Sequence, residues 1–369
     1  MFFGEPAKIL VAPLDWGLGH ATRCIPIIKL LLARNCTIAL AADGPQKALL
    51  QQEFPGLEFI RLPSYGISYS GNDFLNSLKI ATQIPKIMTR ISQENRCLEK
   101  YLMDHKWDAV ISDNRYGLHA KGLHSVFITH QLHIENPLGR AFSGLLRNWN
   151  YRFIERFNQC WIPDFENGPG WAGKLSHPDH LPHIPCRYIG PLSRFVPLGG
   201  TSQEYDLLII LSGPEPQRSR FEKILIDQLK LYKGKVAVVR GLPQERVQLE
   251  ISSHVTVYNH RNAAELNHLI EASNLVIARS GYSTLMDLLS LETKVIVVPT
   301  PGQSEQIYLA RYLSEKKLVM AASQLGFDLA GIIERAQTFP FAQMEVRRSF
   351  LLEQAINDLL EKLRRPSEK

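Results

Sequence analysis

The sequence predicts an α/β protein of two doubly wound, parallel-sheet domains, and three observations predict it. The chain has 369 residues, too many for one ordinary core and enough for two domains of about 150–200 residues each. Short apolar runs alternate with helical patterns from end to end. A stretch rich in Pro, Gly and Ser, residues 189–205, divides those runs into two similar series.

The runs of the first series are KILVAP (8–13), TIALA (37–41), EFIRL (58–62), DAVIS (108–112) and SVFIT (125–129). Those of the second are DLLIIL (206–211), KVAVV (235–239), HVTVY (254–258), LVIA (275–278) and KVIVV (294–298). Runs this continuous, bounded by Gly, Pro, Asp or Asn, suit strands covered on both faces. Helical patterns such as 262–271 and 303–315 between them give βαβ units. The predicted division is an N-terminal domain over 1–196, a C-terminal domain over 197–345, and a terminal helix over 346–369 packing back on the first domain. Two such domains facing one another would leave a cleft at the carboxyl ends of their strands, where open α/β sheets bind ligands.

Composition narrows the class. Hydrophobic residues make up 45% and charged residues 21%, the balance of a globular protein. No run approaches the roughly 18–20 apolar residues of a spanning helix, and the N-terminus lacks a signal-peptide pattern. The five cysteines are scattered and form no CxxC pair, which argues against a disulfide framework or zinc knuckle. The cytoplasm is the expected location. A net charge of +6 suits an anionic substrate or an anionic membrane face. RNP and Cys/His-finger signatures are absent, so no nucleic-acid partner is expected.

Four segments carry candidate chemistry. In residues 11–32 a strand ends at Pro13, Gly17 and Gly19 follow, and an apolar-periodic helix is expected from about Ala21–Thr22. Glycines there admit an anion to backbone N–H groups at a helix start, although the third glycine of a dinucleotide fingerprint is missing. His20 stands in that turn, either as a polar cap or as a general base. In DAVISDNRYG, Asp113 lies just beyond a strand, either as a turn aspartate or as the carboxylate that orients a histidine base. His130 and Gln131, with His133, follow the SVFIT strand and could reach the same place, which makes them acceptor-side candidates. In the second series Ser212–Gly213 end a strand before a Pro-rich turn and helix.

The fourth segment, 277–313, is the most specific. Arg279 and Ser280 end a strand, Gly281 allows a tight entry into a helix, and Ser283–Thr284 can donate to a pyrophosphate. Asp287 on that helix can accept ribose hydroxyls. The loop PTPGQSEQ then places Glu305 and Gln306 at the next helix start, where an acid and an amide suit sugar hydroxyls.

RSGYSTLMD, PTPGQSEQ and the early GLGH together resemble the GT-B glycosyltransferases. The nearest likeness is to the bacterial peptidoglycan N-acetylglucosaminyltransferases of family 28 and the UDP-glycosyltransferases of family 1. The resemblance follows the element order of nearly the whole chain and is specific mainly at 11–26 and 255–312. It implies a UDP-sugar donor on the C-terminal domain. Gly19, Ser212, Gly213, Arg279, Ser280, Gly281, Ser283 and Thr284 would lie by the pyrophosphate, Asp287 by ribose, and Glu305–Gln306 by the hexose. The backbone of Tyr258–His260 would hold uracil. It further implies His20 as base and Asp113 as its support. The sequence departs from the family 28 pattern in its glycine loop, DWGLGH, and in an Asp where that family has a ribose Glu. Residues 163–178 have no counterpart.

These features predict an inverting hexosyltransferase acting from a UDP-sugar on an acceptor hydroxyl, lipid-linked acceptors included. A DxD motif and paired His/Cys ligand spacings are absent, so no metal and no cofactor are expected; Arg279 and helix N-termini could supply the metal's charge. The glutamate pair of many retaining GT-B enzymes is also missing. A nucleotide-sugar epimerase and a non-catalytic nucleotide-sugar-binding module remain as alternatives. Residues 139–161 place Phe142, Leu145, Leu146, Trp149, Phe153 and Phe157 at helical spacing with three arginines. That pattern suits either a helix packed on its sheet or one lying on an anionic membrane.

Overall fold

A computed structural model of the chain describes residues 5–65, 73–134, 140–168, 170–342 and 350–364. The chain forms two units, each with its own parallel sheet. In the first, the elements run β1 (Lys8–Pro13), α1 (Leu18–Ala33), β2 (Thr37–Ala41), α2 (Gly44–Glu53), β3 (Glu58–Ile60), α3 (Asp73–Asp104), β4 (Ala109–Asp113), β5 (His124–Ile128), α4 (Arg140–Ile154), β6 (Gln159–Ile162) and β7 (Cys186–Tyr188). The strand order is β3-β2-β1-β4-β5-β6-β7. In the second they run β8 (Leu207–Ile210), α5 (Gln217–Leu229), β9 (Val236–Val239), β10 (Val255–Tyr258), α6 (Ala263–Glu271), β11 (Val276–Ala278), α7 (Tyr282–Leu289), β12 (Val295–Val297), α8 (Ser304–Glu315), β13 (Met320–Ala321) and α9 (Leu329–Thr338). Their order is β10-β9-β8-β11-β12-β13.

Both orders reverse direction once, between β1 and β4 in the first sheet and between β8 and β11 in the second. At such a switch point the two following loops leave in opposite directions and open a crevice. Alternate residues of β1 show how the first sheet is covered. Ile9 and Val11 join Ile25 and Ile28 of α1 in one core, while Leu10 and Ala12 join Leu98 of α3 in another. The terminal helix α10 (Leu351–Arg364) adds Leu352, Ala355, Ile356, Leu359 and Leu360 to the α1 side. Arg34–Glu353 and Arg187–Asp358 ion pairs rim it. In the second unit Phe221, Leu225 and Leu229 of α5 and Leu329 and Ile332 of α9 pack on Ile209, Val238 and Ile277. Asn262 and Glu265 close a reciprocal capping box at α6, the N-x-x-E pattern written in the sequence.

Several expectations change. The first helix begins at Leu18, so His20 lies in its first turn and not before it. Gly17, at φ 77, makes the left-handed turn that starts it early. Strands β6 (QCWI), β7 (CRY) and β13 (MA) were not foreseen, because none is a continuous aliphatic or β-branched run. The 139–161 segment is a helix only to Ile154 and then turns into β6. Phe153 and Phe157 are buried, and Trp149 packs against the cluster of Leu14, Tyr65 and Phe153. Trp149, Phe153 and Phe157 thus pack inward, as the packed-helix alternative expects; the side chains of Phe142 and Leu145 lie outside the described residues. Among the described residues no helix is long and apolar enough to cross a membrane. Within the stretch 189–205, Ile189 and Leu192 belong to the first unit's core, whereas Ser193 and Arg194 bond to Asp287 in the second.

Candidate active site

In the first unit, β1 and β4 are neighbours and Pro13 stands opposite Asp113. The switch point therefore places the start of α1 beside the end of β4. A helix puts residues i, i+3 and i+4 on one face, so His20, Arg23 and Cys24 all turn toward Asp113. Asn114, at φ 57, turns the chain immediately after the carboxylate; Asn is among the few non-glycine residues that readily adopt this conformation.

The contacts that result form a cluster. His20 Nδ1 lies 3.1 Å from Asp113 Oδ2. Arg23 grips the same carboxylate twice, through Nε to Oδ2 at 2.7 Å and through Nη2 to Oδ1. Its Nη2 is also 2.9 Å from His20 Nδ1, and its Nη1 is 2.9 Å from His130 Nδ1. Asp113 is fully buried. Burial, the largest single influence, pushes its pKa up, but Arg23 and His20 outweigh it and bring it down to about 2. The carboxylate is thus ionised at any physiological pH. Cys24 is buried beside it, and burial followed by the negative charge of Asp113 raises its pKa well above the usual value. It stays a thiol and is no nucleophile.

The loop after β5 is held from a direction the sequence did not show. The backbone N–H groups of Leu132 and His133 both donate to Leu175 O, at 2.8 and 3.0 Å. Leu175 belongs to the 163–178 segment, whose organiser is Asp164. That fully buried carboxylate accepts from the N–H groups of Phe165, Trp171 and Ala172 at 2.8–2.9 Å and from the Ser176 hydroxyl. The segment without a family counterpart is therefore a carboxylate-centred loop that props the strand end carrying His130 and Gln131. Gln131 itself is fixed through its backbone, donating to Thr129 Oγ1 and accepting from Asn150 Nδ2. A second buried pair, Arg115–Glu94, anchors the chain just past Asp113, with Tyr65 Oη and Gly117 N also donating to Glu94.

In the second unit, Ser212–Gly213 follow β8 and Arg279–Ser280–Gly281 follow β11, again at the switch point. Gly213 adopts φ +105, which requires glycine. Gly281 does not: its backbone is ordinary extended chain at φ −67, and it serves as an N-cap with no side chain over the first turn of α7. Ser283 and Thr284 lie in that turn and are half-buried.

Four residues of the resemblance-based donor set are already engaged. Arg279 is 1% exposed and donates to the carbonyls of Val298, Pro299 and Gln217 and to Gln324 Oε1. It braces three loops and cannot touch a ligand directly. No acidic side chain pairs with it among the described residues, and burial lowers its pKa to about 10, still charged at neutral pH. Asp287 accepts from Ser193 Oγ and Arg194 N on Oδ1 and from Arg194 Nε on Oδ2. A carboxylate has about four acceptor sites, so room remains for one ribose hydroxyl and not for two. Gln306 spends its amide on Thr300 N and Gln303 Oε1, and its carbonyl on Ser280 Oγ. It shapes the loop that presents the half-buried Glu305. At the end of β10 the Tyr258 and Asn259 carbonyls each accept one bond, from Arg240 N and Leu242 N, which leaves each a second lone pair. Arg261 stacks its guanidinium over Tyr258 at 3.9 Å.

Sequence reasoning missed Arg23 entirely. The available signal was its place as the one formally charged residue in LGHATRCIPII, where the apolar period assigns a buried helix face. It also missed Asp164 and the Arg218–Glu222–Arg240 network that ties α5 to β9 and, through Asn259, to the chain beyond β10. Arg218 and Glu222 are a local i, i+4 pair, but Arg240 lies 18 positions from Glu222 and 19 from Asn259, beyond any local pattern. Among the described residues no cluster of His, Cys, Asp and Glu could hold a metal ion.

Two parallel-sheet units with these strand orders and with their polar side chains gathered at both switch points define the GT-B glycosyltransferase fold, and solved structures agree. A calicheamicin glycosyltransferase matches at TM-score 0.62 and 14% identity, covering 97% of this chain and 95% of its own. Acinetobacter baumannii MurG matches at 0.55 and 12%, with the same coverage. Residues 228–344 match the glycosyltransferase family 28 C-terminal domain. Curated relatives include an uncharacterized glycosyltransferase of Methanopyrus kandleri, 24% identical over 75% of this chain and 81% of its own length. Another from Methanosarcina mazei is 24% identical over 84% of both. The chain has the GT-B fold, and its residues 228–344 are similar to the family 28 C-terminal domain.

Proposed function

We propose that the protein is an inverting transferase that moves a hexose from a UDP-sugar to an acceptor hydroxyl, with His20 as the base. The contact between His20 and Asp113, 3.1 Å apart at the switch point of the first sheet, carries this reading. In it, the Nδ1–H of His20 donates to Asp113 and leaves the Nε2 lone pair for the acceptor's proton. The deprotonated oxygen attacks the anomeric carbon, the bond from that carbon to the diphosphate oxygen breaks, and UDP leaves with the electron pair. Direct displacement inverts the anomeric centre.

The second unit supports the donor half. Backbone N–H groups at Gly213 and at the start of α7 suit a diphosphate. The charge of Arg279, unmatched by any acid among the described residues, favours an anion nearby without touching it. A leaving diphosphate stabilised this way needs no bound metal, and the reaction is proposed as metal-independent. Asp287 would accept one ribose hydroxyl, and Glu305 would meet the hexose.

Calorimetric titration tests the donor half. UDP and UDP-hexoses should bind to the wild type, and Glu305→Ala should weaken the UDP-hexose by about 0.5–3 kcal/mol while leaving UDP unchanged. Tighter binding of another nucleotide's sugars would move the reading to that donor, and equal losses for UDP and UDP-hexose would remove Glu305 from the sugar.

A further inference from the structure

The Arg23 guanidinium is buried against two histidines and one carboxylate, and the assigned chemistry uses only His20 and Asp113. A guanidinium donates and never accepts, and it stays charged at all working pH values. Its Nη1 lies 2.9 Å from His130 Nδ1, so that nitrogen must present its lone pair. The proton of neutral His130 is then on Nε2. A second proton on Nδ1 would set N–H against N–H and cation against cation at the same distance. His130, 4% exposed, is therefore held as a neutral Nε2–H donor, and that nitrogen has no lone pair to act as a base.

His20 sits under two opposed demands. Asp113 Oδ2 at 3.1 Å asks for a proton on Nδ1, and Arg23 Nη2 at 2.9 Å asks for a lone pair there. Among the described residues, Asp113 at the end of β4 and Arg23 of α1 contact the imidazole, Cys24 lies 3.9 Å from the same Asp113 oxygen, and His130 lies beyond the guanidinium. Both demands meet on one nitrogen, so the contact that fixes the tautomer of His130 does not by itself fix that of His20.

We propose that Arg23 is a positioning residue, fixing the proton of His130 on Nε2 and so making His130 a hydrogen-bond donor and not a base. The statement rests on geometry and not on the transferase reading.

Nitrogen-15 spectra of the histidine rings in the native protein at about pH 7.5 test it, with a His130→Gln variant to assign the His130 signals. The expected result is a protonated Nε2 and a bare Nδ1 for His130. In Arg23→Gln that preference should be lost, with both tautomers present. A His130 ring protonated on Nδ1 in the native protein would overturn the proposal. So would an Arg23→Gln variant that loses stability but keeps the Nε2–H tautomer alone. The expected ring spectra together with no UDP release would contradict the transferase reading and leave the Arg23 geometry standing.

Discussion

Replacing Asp113 with Asn should cost more in folding than in any direct chemical role, and the structure says how much. Asparagine keeps the shape and one acceptor oxygen but removes the negative charge that Arg23 grips with two N–H groups inside the first unit. Both side chains are at most 2% exposed, so solvent screens little. The pKa of Asp113 falls from 3.8 to about 2 on folding, and a depression of nearly two units is worth about 2 kcal/mol. Breaking a buried pair by removing one partner costs roughly 3–5 kcal/mol in other proteins. The expected loss is therefore about 2–4 kcal/mol for Asp113→Asn. The sign is that of a depressed carboxylate: the stabilisation is complete above about pH 4 and disappears as pH falls toward about 2. Urea unfolding at pH 7, followed by circular dichroism, gives the difference. His20→Ala is the comparison, because the His20 side chain is 16% exposed and its loss leaves the Arg23–Asp113 pair intact. It should cost about 1–2 kcal/mol. An Asp113→Asn variant as stable as the wild type, or acid unfolding that starts at the same pH in both, would refute the buried-pair account.

Two further outcomes follow from the same contacts. Asp287→Ala should weaken UDP binding by about tenfold, one lost hydrogen bond to a charged acceptor. It should also lower the melting temperature, because Ser193 and Arg194 lose their anchor; Arg194→Ala should share the second effect and not the first, as calorimetry and melting curves would show. Asp164→Ala leaves three backbone N–H groups without their acceptor and should cost at least about 2–3 kcal/mol. Faster hydrogen exchange at Leu132 and His133, whose N–H groups hang on Leu175, would mark the loosened loop; unchanged exchange there would detach the 163–178 loop from the site.

The fold was legible because parallel strands covered on both faces appear as continuous apolar runs, and all ten runs form strands or their immediate ends. The switch points follow from strand order, and with them the neighbourhood of His20 and Asp113. What stayed hidden was set by packing between distant residues. Asp113 needs Arg23, 90 positions away, and Asp287 is occupied by Arg194, 93 positions away; nothing local marks either pairing. Motif reading expected Arg279, Gln306 and Tyr258 to lie beside a donor. It could not show that their polar groups hold loops, because that depends on which carbonyls the folded chain leaves within reach. The aromatic spacing of 139–161 left two readings open for a related reason: an inward-facing helix and a membrane-lying one share a period, and only the neighbouring core distinguishes them.

The central proposal, that His20 is the base for transfer from a UDP-sugar, is met most directly by one paired measurement. UDP release from a panel of UDP-hexoses is followed for the wild type and His20→Ala, with donor affinity measured on the same samples. The account expects release by the wild type and a loss of about 10²–10⁴-fold in the variant, with UDP-hexose affinity unchanged within about twofold. Undiminished release by His20→Ala, or a fall in turnover matched by an equal fall in donor affinity, would contradict it.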